Sequence, residues 1–193
     1  MISLKTHLKN KIKPGFTVNK TVSNKIILFD LDDTIIHTTA EIMIVKDGKF
    51  IRKISNTEFN NYELKSGESF DFTEFDDPKI LASSRFTKYW DTLKREYNKG
   101  THVGILTARS DCDMIKDFLL KNGIRIKDEL VMAINDPKLG LKGNIQQKKA
   151  AAIKILANAG YNTFIFFDDN EGNLDAAKKL ETLYKIKVQT VKA

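Results

Sequence analysis

The sequence predicts an α/β fold: a mostly parallel sheet of about five strands with helices on both faces and a small β-hairpin insertion. Two observations carry that expectation. Short apolar runs (KIILFD, HVGIL, VMAI, TFIFF and KIKVQTV) recur along the chain, and segments with helical spacing of apolar residues separate them. At 193 residues there is room for one domain with a small insertion, since domains run to roughly 100–200 residues.

The elements follow in order. Residues 1–24 read as a basic N-terminal arm and 25–193 as the folded domain, whose first strand is the apolar run Lys25–Asp30. EIMIVK and KFIRKI flank Asp47-Gly48, a turn signal between two β-rich runs, and predict a hairpin. Residues 56–82 lack a helical period and read as an irregular or short-stranded extension of it. From Ser84 to Asn98, Phe86, Tyr89, Trp90, Leu93 and Tyr97 recur at helical spacing, with Ser83 or Ser84 as cap and Gly100 as stop. Then come a strand (102–106), a helix (111–122) stopped by Gly123, a strand (131–134), a helix (146–159), a strand (163–167), a helix (173–183) and a strand (186–192).

Composition narrows the function classes. With 41% hydrophobic and 30% charged residues the chain is neither disordered nor membrane-embedded, and it has no apolar run of the ~20 residues that span a bilayer. The N-terminus lacks the apolar stretch of a signal peptide, so the expected location is cytoplasmic. A lone cysteine, Cys112, permits no internal disulfide. The net charge is +7, but residues 1–25 hold six lysines and no acid, while the remainder carries 26 basic and 25 acidic residues. The excess is thus an arm suited to weak polyanion contact, or a plain solvated terminus.

Ligands of open α/β sheets bind outside the carboxyl ends of the strands, so the residues there are the candidates. The first strand runs into Asp30-Leu31-Asp32-Asp33-Thr34, HVGIL into Thr107-Ala108-Arg109, and TFIFF into Asp168-Asp169. The opposite ends carry no comparable cluster. Converging carboxylates stay ionised only beside a cation, and oxygen-only ligands suit Mg²⁺, whose common companions are carboxylates and phosphate. An aspartate can attack phosphorus to form an aspartyl-phosphate, and a second one two residues on can protonate the leaving oxygen.

These residues resemble the motifs of the haloacid dehalogenase (HAD) superfamily, whose fold is Rossmann-like. Phe29–Thr34 matches its DxDx[T/V] motif, ILTAR (105–109) looks like the second and FFDDNEGN (166–173) like the fourth. KKAAAIKIL supplies the lysine of the third, with Lys148 or Lys149 about 20 residues before Asp168. The resemblance implies an HAD-type phosphatase, a phosphoric monoester hydrolase. Asp30 is then nucleophile and metal ligand, and Asp32 is general acid/base and, through its carbonyl, metal ligand. Lys148 neutralises developing charge, with Lys149 as its competitor, and Asp169 is the further Mg²⁺ ligand. Thr34, Asp168 and Asn173 support the site, and Asp33 is structural. Thr107 and Ala108 hold phosphoryl oxygens. Relatives that cleave carbon–halogen bonds lack an acid at the position of Asp32, which favours phosphoryl transfer here.

Family members choose substrates through an insertion, here about residues 38–82, which is too small for a helical lid and implies a fairly open site. The Thr107-Ala108-Arg109 and Asp168-Asp169 forms are also similar to the phosphatase domain of bacteriophage polynucleotide kinase-phosphatases, which implies a phosphate-binding role for Arg109. No G-x-x-x-x-G-K-[ST] loop is present. The expected substrate is a phosphomonoester, a nucleotide or other small phosphometabolite. The alternatives are a polynucleotide end in nucleic-acid repair, and a non-catalytic binding protein on the same fold.

Overall fold

The apolar run that begins at Lys25 becomes the middle of the sheet. The computed structural model describes residues 24–59 and 61–193; residues 1–23 of the basic arm, His7 among them, lie outside the described residues. In chain order the strands are β1 (Lys25–Phe29), β2 (Ile36–His37), β3 (Ile42–Lys46), β4 (Lys49–Ile54), β5 (Glu68–Asp71), β6 (Arg85–Phe86), β7 (Val103–Thr107), β8 (Val131–Ala133), β9 (Thr163–Asp168) and β10 (Lys187–Lys192). The helices are α1 (Asn56–Phe59), α2 (Pro78–Ser83), α3 (Lys88–Asn98), α4 (Cys112–Lys121), α5 (Ile145–Asn158), α6 (Glu171–Lys178) and α7 (Leu180–Tyr184).

The five main strands pair in the order β10-β9-β1-β7-β8, every neighbour parallel. β1 is buried between β9 and β7, which is why it reads as a continuous apolar run and not an alternating one. The chain steps from β1 to β7 and β8 on one side, then crosses back to β9 and β10 on the other. The switch point therefore lies at the carboxyl ends of β1 and β9, where Asp30 and Asp168 stand. Register sets them side by side: Phe29 pairs with Phe167, their rings stack at 4.7 Å, and Asp30 N donates to Phe167 O at 2.9 Å. Gly104 keeps β7 close to its neighbours, since a Cβ there would lie 2.8 Å from the Leu130 carbonyl. Among the described residues no helix is long and apolar enough to cross a membrane.

The insertion differs from the expected hairpin. Asp47 and Gly48, at φ 50° and 76°, turn β3 into β4 as foreseen, but β5 pairs with the other edge of β3 to complete a three-stranded antiparallel sheet. Ile42, Ile44 and Ile54 form a small core there, with Phe59, Tyr62, Phe70 and Phe75 packed against it. α2 was not expected; Asp77 caps it by accepting from Lys79 N, and Pro78 supplies the first turn.

Other boundaries shift for local reasons. Arg85 and Phe86 pair with His37 and Ile36 in β6 and β2, so α3 begins at Lys88, capped by Thr87 and not by Ser83 or Ser84. Phe86 accordingly leaves the buried stripe: it is 43% exposed and stacks on Trp90 at 4.1 Å. The final helical stretch starts at Glu171, under an Asn170 cap, and is divided at Lys179 into α6 and α7.

Candidate functional site

β1, β7 and β9 end at one cavity of about 750 Å³, lined among others by Asp30, Asp32, Thr107, Ala108, Arg109, Lys149, Asp169 and Asn173. The rim foreseen from the strand ends is therefore one place. Asp30 is buried, and its Oδ1 accepts from Lys149 Nζ at 2.8 Å. Its Oδ2 carries no hydrogen bond among the described residues. Asp168, with no exposed surface, accepts from Lys149 Nζ at 2.7 Å, from Asn170 N at 2.9 Å and from Asn173 Nδ2 at 2.9 Å. Its oxygens are thus taken up in holding the lysine and the start of α6.

The lysine that reaches Asp30 is Lys149 and not Lys148. On α5 the buried face is Lys149, Ala152, Ile153 and Leu156, so the ammonium of Lys149 points into the sheet end, whereas one position earlier the helix turns Lys148 aside. Lys148 Nζ instead donates to Asn135 Oδ1 at 2.7 Å, and Asn135 Nδ2 donates to Ala108 O at 2.6 Å. Asn135, missed in the sequence, steadies the Thr107-Ala108-Arg109 loop.

Electrostatics at the site are unbalanced. Burial opposes the charge of Lys149, yet Asp30 and Asp168 hold it above the usual lysine range. One ammonium faces three carboxylates, because Asp30, Asp168 and Asp169 bring oxygens within 4.8 Å of one another. Burial, with Asp168 and Asp169, pushes Asp30 well above the usual carboxylate range against the pull of Lys149. Burial, then Asp168, raises Asp169 to about 6. Asn173 adds a buried Oδ1 with no hydrogen-bond partner among the described residues, on a residue that lines the cavity. All-oxygen donors, excess negative charge and an orphaned amide oxygen fit a hard cation such as Mg²⁺. Asp30, Asp169 and Asn173 are the side chains with oxygen to offer.

Asp32, expected to meet a metal through its backbone carbonyl, has its side chain engaged by Arg109. Arg109 grips its carboxylate with both arms, Nε to Oδ2 at 2.9 Å and Nη2 to Oδ1 at 2.8 Å. Arg109 is itself buried, donates to the Phe75 carbonyl and lies 5.2 Å from the Phe75 ring centre. The guanidinium expected to meet a phosphate thus joins Asp32 to the insertion. Thr107 is buried and its Oγ1 accepts from Arg109 N at 3.3 Å. Thr34 is buried too; its carbonyl accepts from the Thr87 hydroxyl, which fixes the loop after β1 against the start of α3.

Asp33, at φ 57°, turns out of the cavity and accepts from Asn56 Nδ2 at 2.7 Å, a second tie to the insertion. A third joins Ser110 to Asp76. The insertion therefore does more than leave the site open: Ile42, Asn56, Phe59, Phe72, Phe75 and Asp76 line the same cavity. Comparison with known proteins finds no match: no family model, no curated protein and no solved structure.

Proposed function

We propose that this protein is an HAD-type phosphatase, a Mg²⁺-dependent phosphohydrolase acting on phosphomonoesters through an aspartyl-phosphate. The observation that carries the reading is Asp30: a buried carboxylate at the switch point, fixed through one oxygen by Lys149 and open at the other.

Asp30 Oδ2 attacks phosphorus, and the bond from phosphorus to the leaving oxygen breaks with its electron pair. Asp32 gives that oxygen a proton, which requires one carboxylate oxygen to be released from Arg109. Water then loses a proton to Asp32 and attacks the same phosphorus, freeing inorganic phosphate and the Asp30 carboxylate. Lys149 offsets negative charge gathering beside Asp30. Thr107 and the Ala108 amide, in a loop steadied by Asn135, receive the phosphoryl oxygens. A magnesium ion, held by Asp30, Asp169 and Asn173, would supply charge neutralisation for the incoming phosphate.

The test is phosphate release from a generic aryl phosphate with and without Mg²⁺. Turnover is expected in the wild type with Mg²⁺ and is expected to vanish in Asp30→Asn. A wild type without turnover, or an undiminished Asp30→Asn, rejects the reading.

A further inference from the structure

We propose that the insertion's side of the cavity receives a flat, uncharged, hydrogen-bonding ring, so that the substrate is a phosphomonoester of the nucleoside monophosphate kind. This rests on the phosphomonoesterase reading for the phosphate end and on separate observations for the ring.

The first of these is Phe72. Phe59 and Phe75 also line the cavity, but both pack against the insertion's own small core. Phe72 does not belong to that core; it is 44% exposed, meeting Phe59 edge-on at 5.5 Å and Phe75 at 6.2 Å. The part of this ring left open on the cavity wall offers a planar ligand a stacking surface. Size agrees, since about 750 Å³ lies within the ~300–1,000 Å³ of small-molecule sites.

Polarity selects among planar ligands. The side-chain amide of Gln146 lines the cavity with no hydrogen bond among the described residues, and Asn56 engages Asp33 through its nitrogen, leaving its oxygen. Uncharged donors and acceptors beside an aromatic wall suit a nucleobase better than a bare hydrocarbon ring.

Charge then limits the number of phosphates. The cavity is lined by four aspartates (Asp30, Asp32, Asp76, Asp169) and by two cations, Arg109 and Lys149. Both cations are already engaged, Arg109 by Asp32 and Lys149 by Asp30 and Asp168. One phosphoryl group can be served beside Lys149; a second or third would meet carboxylates. Nucleoside di- and triphosphates and polynucleotide ends are therefore poor occupants.

The experiment compares kcat/KM of the full chain, with Mg²⁺, on adenosine and uridine monophosphates, glycerol 3-phosphate, ATP and a 5′-phosphorylated oligonucleotide. Nucleoside monophosphates are expected to exceed glycerol 3-phosphate by about tenfold or more, the worth of one stacked ring, and to exceed ATP and the oligonucleotide. Phe72→Ala should reduce the first ratio about tenfold and Phe72→Trp should keep it, both folded by circular dichroism. Equal use of glycerol 3-phosphate, preference for ATP or the oligonucleotide, or a ratio unmoved by Phe72→Ala overturns the proposal. In a second arm adenosine, which has no phosphate, is titrated into the wild type and Phe72→Ala by calorimetry, and saturable binding is expected in the wild type only. If no ester is hydrolysed, the phosphatase reading has failed and this arm alone decides the ring site: absent or unaltered binding rejects it.

Discussion

Lys149 Nζ sits 2.8 Å from Asp30 Oδ1, although 119 residues separate the two in the chain. The pair exists because α5 delivers its buried face to the end of β1, with Asp168 taking the same ammonium from the other side. Its neighbour Lys148, one position earlier on the same helix, meets Asn135 instead. Lys149→Met should therefore cut phosphate release about 100-fold or more, the scale of losing one preorganised charge partner. It should also cost about 3 kcal/mol of stability, because two buried carboxylates lose their counter-charge. Lys148→Met should cost less than about threefold in rate. Steady-state kinetics and urea unfolding of the two variants check the assignment; the reverse order of effects would restore Lys148.

The bidentate grip of Arg109 on Asp32 makes a second prediction. If Arg109 orients Asp32, Arg109→Lys keeps the charge but loses the fork, and kcat should fall about tenfold with KM within about threefold. An arginine that bound substrate phosphate would show the opposite split, a raised KM at nearly constant kcat. The pair should also be coupled in stability, by about 1–3 kcal/mol in a double-mutant cycle of Arg109→Ala with Asp32→Ala.

These two residues also mark where the sequence was legible and where it was not. Asp30, Thr107 and Asp169 follow directly from strand ends in a parallel sheet, because strand polarity alone puts them on one rim. Lys149 was within reach only as one of two: Ala152, Ile153 and Leu156 follow it at i+3, i+4 and i+7, but Ala151, Ala152 and Ile155, equally apolar, follow Lys148 in the same way. The partner of Arg109 was not. Its grip on Asp32 depends on where the short 3-10 turn Thr73–Asp76 brings the Phe75 carbonyl, and residues 56–82 have no periodicity from which to place it. For the same reason Phe72 could be counted among the aromatics of the insertion but not assigned to a wall. The helix start at Lys88 was displaced by pairing between β2 and β6, a contact between segments about 50 residues apart that local spacing does not encode.

Metal addition gives a third prediction. If the proposed site binds Mg²⁺ in the folded chain alone, the wild type should gain about 2.7 kcal/mol of stability at a free concentration 100-fold above Kd. Asp169→Asn removes one of the oxygens beside Asp30 and should abolish most of that gain. Thermal unfolding in EDTA and across a Mg²⁺ series reads this without any substrate. Equal upward shifts in the wild type and Asp169→Asn would place the ion elsewhere.

A fourth prediction concerns pH and lies away from the site. His102 Nδ1 is 2.8 Å from the Tyr161 hydroxyl at the start of β7, and burial, helped by Lys127, lowers its pKa from the ordinary 6.5. The folded chain thus prefers the neutral imidazole, while the unfolded chain takes up a proton at the ordinary value. The contribution of His102 to stability is complete above pH 6.5 and is lost as pH falls through the lowered folded value. Acidification destabilises the protein through its paired carboxylates as well, so the measurable quantity is a difference. Between pH 7.5 and 5.5 the urea midpoint should fall more in the wild type than in His102→Gln, which keeps a polar group but cannot titrate. Parallel falls in the two proteins would show that the ring takes up a proton as readily in the folded state as in the unfolded one, and that burial does not lower its proton affinity.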